Sequence, residues 1–292
     1  MKMLQKIKPY IKILPAFLTI FLLFWYGIFL GVLQSFGFFL INKKSKFTFE
    51  NYIKVFRNRE FLDSLFLSIK ISLLSVGFVI LFAIIILYLL FLLKLKYFKL
   101  SDKLQKLYLV PMLVPYLIGS YISIITLAQT GFLSKIFYKA GVILNFEEFP
   151  ILINDSHGIG IILTYIWKTL PFVLLMTYPI LDKIIDKWIK VGKLYGANNF
   201  KFFIYIIIPL LIPTLFNSAF ILLAFIFSAF EIPYMLGLTY PKMLSVMTYD
   251  MHSKDFINTQ SEVMSINIII VLITISLGII SYKILKKNYE EI

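Results

Sequence analysis

Residues 190–213 of the chain read KVGKLYGANNFKFFIYIIIPLLIP, a polar stretch with a central glycine that passes into an apolar run broken by two prolines. Charged and apolar residues alternate at helical spacing before the glycine, from Lys183 to Tyr195, which predicts a helix with one charged and one apolar side. Gly196 fits a position that ends a helix, because glycine adopts left-handed backbone angles without the penalty of a Cβ. The stretch therefore predicts a helix, a sharp turn and a second helix.

The second helix is expected to start at a capping asparagine, either Asn198 or Asn199, and to run through Phe203 into the apolar run. Pro209 and Pro213 lie inside that run. Each removes a backbone donor and permits a kink, so this helix is expected to have weak points.

Composition places the chain in a membrane. Hydrophobic residues make up 60% of the 292 residues and charged residues only 15%, with a mean hydropathy of +0.89, more apolar content than an ordinary soluble core buries. Crossing the hydrocarbon requires about 20 helical residues, and these continuous runs lack the alternation of barrel strands. The prediction is an all-α polytopic membrane protein with six transmembrane helices, at Ile13–Leu33, Leu65–Leu93, Leu107–Leu127, Ile159–Leu181, Ile204–Phe227 and Val263–Tyr282.

The basic residues predict the orientation. With the N-terminus inside, 17 of the 29 Lys and Arg residues fall on the inner side, 10 on the outer side and 2 within spans. This excess predicts a bacterial inner-membrane protein with both termini cytoplasmic. The net charge of +14 arises from lysines that flank apolar runs, so we expect membrane lipid as a partner and no nucleic acid.

One external segment, Lys43–Arg59, runs against this pattern because it carries 6 of the 10 outer basic residues. Aromatic and aliphatic residues alternate with its charges. It is either an amphipathic segment at the membrane interface or a solvated loop with a short helix.

The Gly196-Ala197 pair, the aromatic Phe203 and the two prolines resemble the EAA loop of binding-protein-dependent ABC transporter permeases. In that family the loop receives force from an ATPase subunit, and the fold is that of a type I ABC importer. The resemblance implies partners of three kinds: ABC ATPase subunits, a second permease subunit, the same or related, and an extracytoplasmic solute-binding protein. It also implies a coupling role for Lys190, Gly196, Ala197, Phe200, Phe203, Pro209 and Pro213.

The chain departs from the family pattern at Lys190-Val191-Gly192, where Glu-Ala-Ala is usual. Either the partner carries a compensating acidic residue, or Lys190 is simply solvated. A looser resemblance divides the chain into residues 1–46, with the tail, first span and external linker, and a permease core at 47–292 with five spans and the coupling loop 182–203.

Two further segments, Phe47–Tyr52 and Trp167–Phe172, resemble the spermidine/putrescine branch of the family. A polyamine-like solute is therefore favoured, with ferric iron, thiamine and phosphonate as alternatives. Within the fourth span, Lys168 and Pro171 are candidates for the translocation pathway, because an ionisable side chain in hydrocarbon is costly. A structural pairing of Lys168 is the alternative.

An enzyme is the first competing interpretation. The sequence contains no HExxH, no GxSxG, no acidic metal cluster and no cysteine, so we expect no catalytic residues, metal or cofactor. It also has no Walker A motif, so ATP hydrolysis is expected on a separate subunit. An ion-coupled secondary transporter is the more remote alternative, although the predicted spans contain no Asp or Glu to couple an ion.

A bulky residue at Gly196 is expected to clash and to abolish transport.

Overall fold

The computed structural model describes residues 2–39, 47–96 and 108–290. The regular structure of these residues is helical. The α-helices are α1 Lys2–Ser35, α2 Glu50–Arg57, α3 Arg59–Lys96, α4 Val110–Leu113, α5 Tyr116–Leu127, α6 Phe132–Lys139, α7 Ile159–Leu194, α8 Asn199–Phe202, α9 Ile208–Ser228, α10 Glu231–Leu236, α11 Leu244–Lys254 and α12 Phe256–Glu290. A 3-10 turn covers Phe146–Glu148, and a π-helical turn covers Phe203–Ile207.

Six helical segments of the described residues are long and apolar enough to cross a membrane, which confirms the predicted fold class. The third differs most from its prediction. Its expected start at Leu107 lies outside the described residues, and the span as observed begins at Tyr116 and continues through α6. The spans are Lys12–Ser35, Arg59–Lys96, Tyr116–Lys139, Ile159–Gly192, Asn199–Ser228 and Thr259–Ile284.

The predicted separate helix from Lys183 to Tyr195 does not exist as such. It is the end of α7, which runs without interruption from the fourth span to Leu194. The physical reason is that no helix-breaking residue follows Leu181 until Gly192, while Asp, Lys, Ile and Trp all continue a helix. The expected surface helix is thus a rigid extension of the membrane span.

The chain divides into two compact units. The first consists of Met1–Leu62 with Met247–Leu272, and the second of Asp63–Val246 with Ile273–Ile292. The predicted boundary at residue 46 falls among the undescribed residues 40–46, as do Lys43, Lys44 and Lys46 of the basic segment, and it stays a prediction.

In the second unit the core forms between α3, α7 and α9. Its fully buried side chains include Val79, Leu87, Phe91, Val173, Leu174, Ile207 and Leu211. Four serines of α3 lie three or four residues apart and are all buried, namely Ser64, Ser68, Ser72 and Ser75. Small side chains in a row let helices approach closely.

The start of α7 is fixed by Asp155. Its carboxylate accepts hydrogen bonds from the backbone N–H groups of His157 at 3.1 Å, Ile159 at 2.8 Å and Gly160 at 3.3 Å. A carboxylate at this position satisfies donors that have no partner within the helix. A Cβ at Gly160 would lie 1.9 Å from the carbonyl oxygen of Leu152, so only glycine fits there.

In the first unit, α1 is exposed along most of its apolar length. Its end is tied to neighbouring segments through Ser35. The hydroxyl of Ser35 lies 2.8 Å from that of Tyr52, and the carbonyl of Ser35 accepts from Ser265 Oγ at 3.0 Å. The exposed side of α1 is available to lipid or to another chain.

Candidate functional site

The predicted coupling loop begins where α7 ends. Gly196 has φ +74°, the left-handed conformation expected of it. The N–H of Ala197 donates to the carbonyl of Gly192 at 3.0 Å, the long bond that closes a glycine-terminated helix. The predicted turn at Gly196 is confirmed, and its role in coupling stays a prediction.

The next helix is capped by Asn198, one of the two predicted candidates. Its side-chain oxygen accepts the backbone N–H of Lys201 at 2.8 Å. The four-residue helix α8 then passes into the π-helical turn Phe203–Ile207, where the N–H of Ile208 bonds to the carbonyl of Phe203. The widened turn ends directly before Pro209, so the expected weak point lies there, and α9 continues through Pro213.

Behind the turn, aromatic rings from two segments pack together. Phe202 and Phe203 each stack on Phe91 of α3 with ring centroids 5.9 Å apart, and Phe203 meets Tyr88 edge-on at 4.9 Å. Phe203 is only 2% exposed. It is therefore not placed to touch a partner directly, and any force that it carries goes to α3.

Gly192 explains part of the departure from the family pattern. A Cβ at this position would lie 2.4 Å and 2.8 Å from two ring carbons of Phe202. One edge of the Phe202 ring thus lies against Gly192 of α7, a contact that alanine would disturb. This contact was not visible in the sequence, because it depends on two residues brought together by the turn.

The tip of the turn exposes three large apolar side chains beside the polar Asn198 and Asn199. Leu194 is 86% exposed and Tyr195 88%, and Phe200 follows at 59%. Lys190 is exposed on α7, whereas Ala197 is half-buried. The seven predicted coupling residues therefore differ in exposure. Four are exposed, namely Lys190, Gly196, Phe200 and Pro209; Ala197 and Pro213 are half-buried; and Phe203 lies in the core.

A buried lysine connects α3 to α7 near the same end. Lys94 Nζ lies 2.7 Å from Asp182 Oδ1 and 3.9 Å from Asp186 Oδ1. The ion pair thus joins the two helices, with the lysine on α3 and both aspartates on α7. A charge with little access to water requires a close opposite charge, which explains the pairing.

Lys168, the candidate pathway residue, is 1% exposed. Its Nζ donates to the carbonyls of Pro111 at 2.6 Å and Val114 at 2.5 Å. Pro115 has no N–H with which to bond the carbonyl of Pro111 four residues earlier, so the lysine replaces the missing donor.

The surroundings of Lys168 support this arrangement. Its Nζ lies 4.7 Å from the ring centre of Tyr116, and its stem packs on Gly119, where a Cβ would come within 3.0 Å. Pro171 is buried one turn further along α7. Lys168 thus binds backbone carbonyls and not a carboxylate, and a role of Lys168 or Pro171 in a pathway stays a prediction.

An open groove of about 390 Å³ lies between α5, α6 and α7 beside this lysine. Its walls are mainly apolar, and Ser123, Thr126 and Trp167 supply its polar atoms. The indole N–H of Trp167 donates to Ser123 Oγ at 3.0 Å. Among the residues that the structure describes, no three His, Asp or Glu side chains group closely enough to hold a metal ion.

Comparison with known families finds no match, and no curated protein matches the sequence. Several solved structures share the fold, including two of bacterial ABC transporters. One is a bacterial ABC transporter involved in the import of the acidic polysaccharide alginate, with a TM-score of 0.78 and 16% identity over 98% of this chain and 99% of that chain. The other is a bacterial alginate ABC transporter in complex with an alginate pentasaccharide-bound periplasmic protein, with a TM-score of 0.76 and 16% identity over 96% of each chain. These matches confirm the predicted ABC importer permease-like fold.

Substitutions at Gly196 should act through backbone strain. A Cβ at this position meets nothing within 4 Å, so the expected clash is wrong, but φ +74° remains unfavourable for other residues. The left-handed conformation costs about 1–2 kcal/mol for an L-residue and more for a β-branched one. We expect Gly196→Val to lower the thermal unfolding midpoint in detergent. Gly196→Asn should lower it much less. Equal stability of the two variants would contradict this explanation.

Lys168→Met should destabilise the protein, because it leaves the carbonyls of Pro111 and Val114 without their donor. A hydrogen bond inside a membrane protein contributes about 0.6–2 kcal/mol. Lys70→Met, which removes another lysine within a span, is the matched control and should have a smaller effect. The measurement is the unfolding midpoint of each purified variant, and a wild-type midpoint for Lys168→Met would rule out the proposed donor role.

Proposed function

We propose that this chain is the membrane-spanning permease subunit of an ATP-driven importer, and that residues 182–203 receive the force of a separate ATPase. The observation that carries the proposal is the exposed apolar turn around Gly196, which terminates one membrane helix and begins the next. The fold shared with two ABC transporters over nearly the whole chain supports it. In this assignment the chain is a transport component and not an enzyme.

The contacts behind the turn suit force transfer. The aromatic stack joins the start of the fifth span to α3, and Lys94 joins α3 to the end of α7. A push on the exposed tip therefore reaches α3, α7 and α9 together. Rigid-body movement of packed helices is the usual way in which such a push becomes a change of access.

The orientation and partners follow from this role. The turn must face the cytoplasm, where ATP is available, in agreement with the excess of basic residues on that side and with cytoplasmic termini. A second permease subunit would complete the pathway, and an external binding protein would deliver the solute. One of the similar structures includes a periplasmic protein bound to alginate pentasaccharide.

The secondary-transporter alternative gains no support from the described spans. The predicted hydrocarbon segments contain no Asp or Glu. Lys168, a lysine deep in a span, is occupied by backbone carbonyls. Coupling to an ion would require a polar group free to exchange its ligands.

Two solute classes remain as proposals. A saccharide is suggested by the two transporters of similar fold, and a polyamine by the residues that resemble the spermidine/putrescine branch. We favour the saccharide, because a polycation crossing these spans would find no carboxylate to pair with. The structure adds nothing in favour of ferric iron, thiamine or phosphonate.

The coupling proposal is tested at the tip of the turn. Leu194→Ser and Tyr195→Ser should reduce co-purification of the ATPase and abolish uptake, because they remove apolar area that a partner would bury. Leu144→Ser, at another exposed leucine, is the matched control and should leave both unchanged. Normal ATPase binding by both tip variants would contradict the proposed docking surface.

The solute is tested by uptake in the source bacterium. Deleting the gene for this chain should abolish uptake of labelled acidic oligosaccharide and leave labelled spermidine uptake intact. The reverse result would favour the polyamine assignment, with the permease role unaffected.

A further inference from the structure

The short helix α2 and the residues before it carry an exposed surface to which the proposed function assigns no role. Three faces can be distinguished on this segment. Asn51, Tyr52 and Val55 are turned inward, while an apolar row and a charged row are exposed side by side. The exposed apolar row is Phe49, Ile53 and Phe56, and the charged row is Glu50, Lys54 and Arg57.

Hydrogen bonds fix this segment at the level where the first span ends. The N–H of Thr48 donates to the carbonyl of Phe36 at 2.9 Å, and the side-chain amide of Asn51 donates to the carbonyl of Ser35 at 3.1 Å. Ser35 is the last residue of α1 and of the first span. The helix α2 therefore lies within about one helix diameter of the hydrocarbon boundary.

Contacts between aromatic rings also hold the residues before α2 close to the end of α1. Phe36 stacks on Phe47 with centroids 4.5 Å apart and meets Phe49 edge-on at 5.0 Å. Both Phe47 and Phe49 nevertheless remain exposed. Exposed phenylalanine and aliphatic side chains beside a charged row are typical of an amphipathic segment that lies in the membrane interface with its apolar side in the acyl boundary.

The charge of the segment selects the kind of lipid. Lys54 pairs with Glu50 at 3.2 Å, which neutralises that pair. Arg57 and Arg59 are exposed and make no ion pair with any residue that the structure describes. Two guanidinium groups beside an apolar row match the phosphate and acyl regions of an anionic phospholipid, since arginine binds phosphate through two donors at once.

We propose that residues 47–59 form an interfacial site for anionic phospholipid headgroups of the membrane in which the chain lies. The apolar row enters the acyl boundary, and Arg57 and Arg59 bind the phosphates. This explains why a strongly basic segment lies on the side where the distribution of basic residues predicts few. For residues 47–59 it favours the interfacial interpretation of the basic segment, independently of the transport role.

The absence of cysteine from the chain makes a local test available. Ile53→Cys carries a single fluorophore in the full-length protein, reconstituted in vesicles of phosphatidylglycerol and phosphatidylcholine. In parallel samples one lipid or the other bears a nitroxide quencher on its acyl chain. We expect quenching by both lipids, with a clear preference for phosphatidylglycerol.

Charge removal then identifies the binding groups. In the labelled protein, R57Q/R59Q should lower the preference for phosphatidylglycerol by roughly five-fold per arginine, the factor expected for one charge near an anionic surface. K135Q/K139Q removes the same charge from the exposed helix α6 and should leave the preference unchanged. R57K/R59K should retain part of it.

Three results would overturn the proposal. A fluorophore that neither lipid quenches places the segment in water or under another protein. Equal quenching by the two lipids shows insertion without recognition of the headgroup. An equal loss of preference in R57Q/R59Q and K135Q/K139Q shows a general effect of net charge and no site at residues 47–59.

Discussion

The constraint on which the second unit depends is that a backbone carbonyl that loses its helical donor to proline must find another donor. Pro115 creates such a carbonyl at Pro111, and Lys168 of α7 satisfies it together with that of Val114. The lysine reaches them only because Gly119 leaves room for its stem. A charged residue deep in a span, a broken helix and a glycine are thus three parts of one arrangement.

The same constraint is met differently where the fifth span begins. There Pro209 follows a π-helical turn, in which each N–H bonds one residue further back than in an α-helix. No charged side chain is recruited. The wide turn lies next to Phe202 and Phe203, whose rings pack on Phe91, so the irregular backbone coincides with the contact that joins the turn at Gly196 to α3.

Local chemistry made much of this predictable. The six spans follow from hydropathy, the turn from the backbone freedom of Gly196, and the cap from the side chain of Asn198. Contacts between distant residues did not follow from the sequence. The pairing of Lys94 with Asp182 joins residues 88 positions apart, and the need for glycine at 192 appears only when Phe202 is folded against it. Likewise, the continuation of α7 beyond the hydrocarbon depends on the absence of a breaker, which hydropathy does not register.

The glutamate of the family pattern, which this chain lacks at Lys190, would contribute little to the free energy of binding an ATPase. An exposed ion pair contributes about 0–1 kcal/mol, whereas full burial of one leucine side chain contributes roughly 1.5–3 kcal/mol. Leu194 and Tyr195 are 86% and 88% exposed, so nearly all of their apolar surface is available to a partner. Docking of an ATPase at this turn would therefore rest mainly on apolar burial, and the sign of the charge at Lys190 would affect the choice of partner more than the strength of binding.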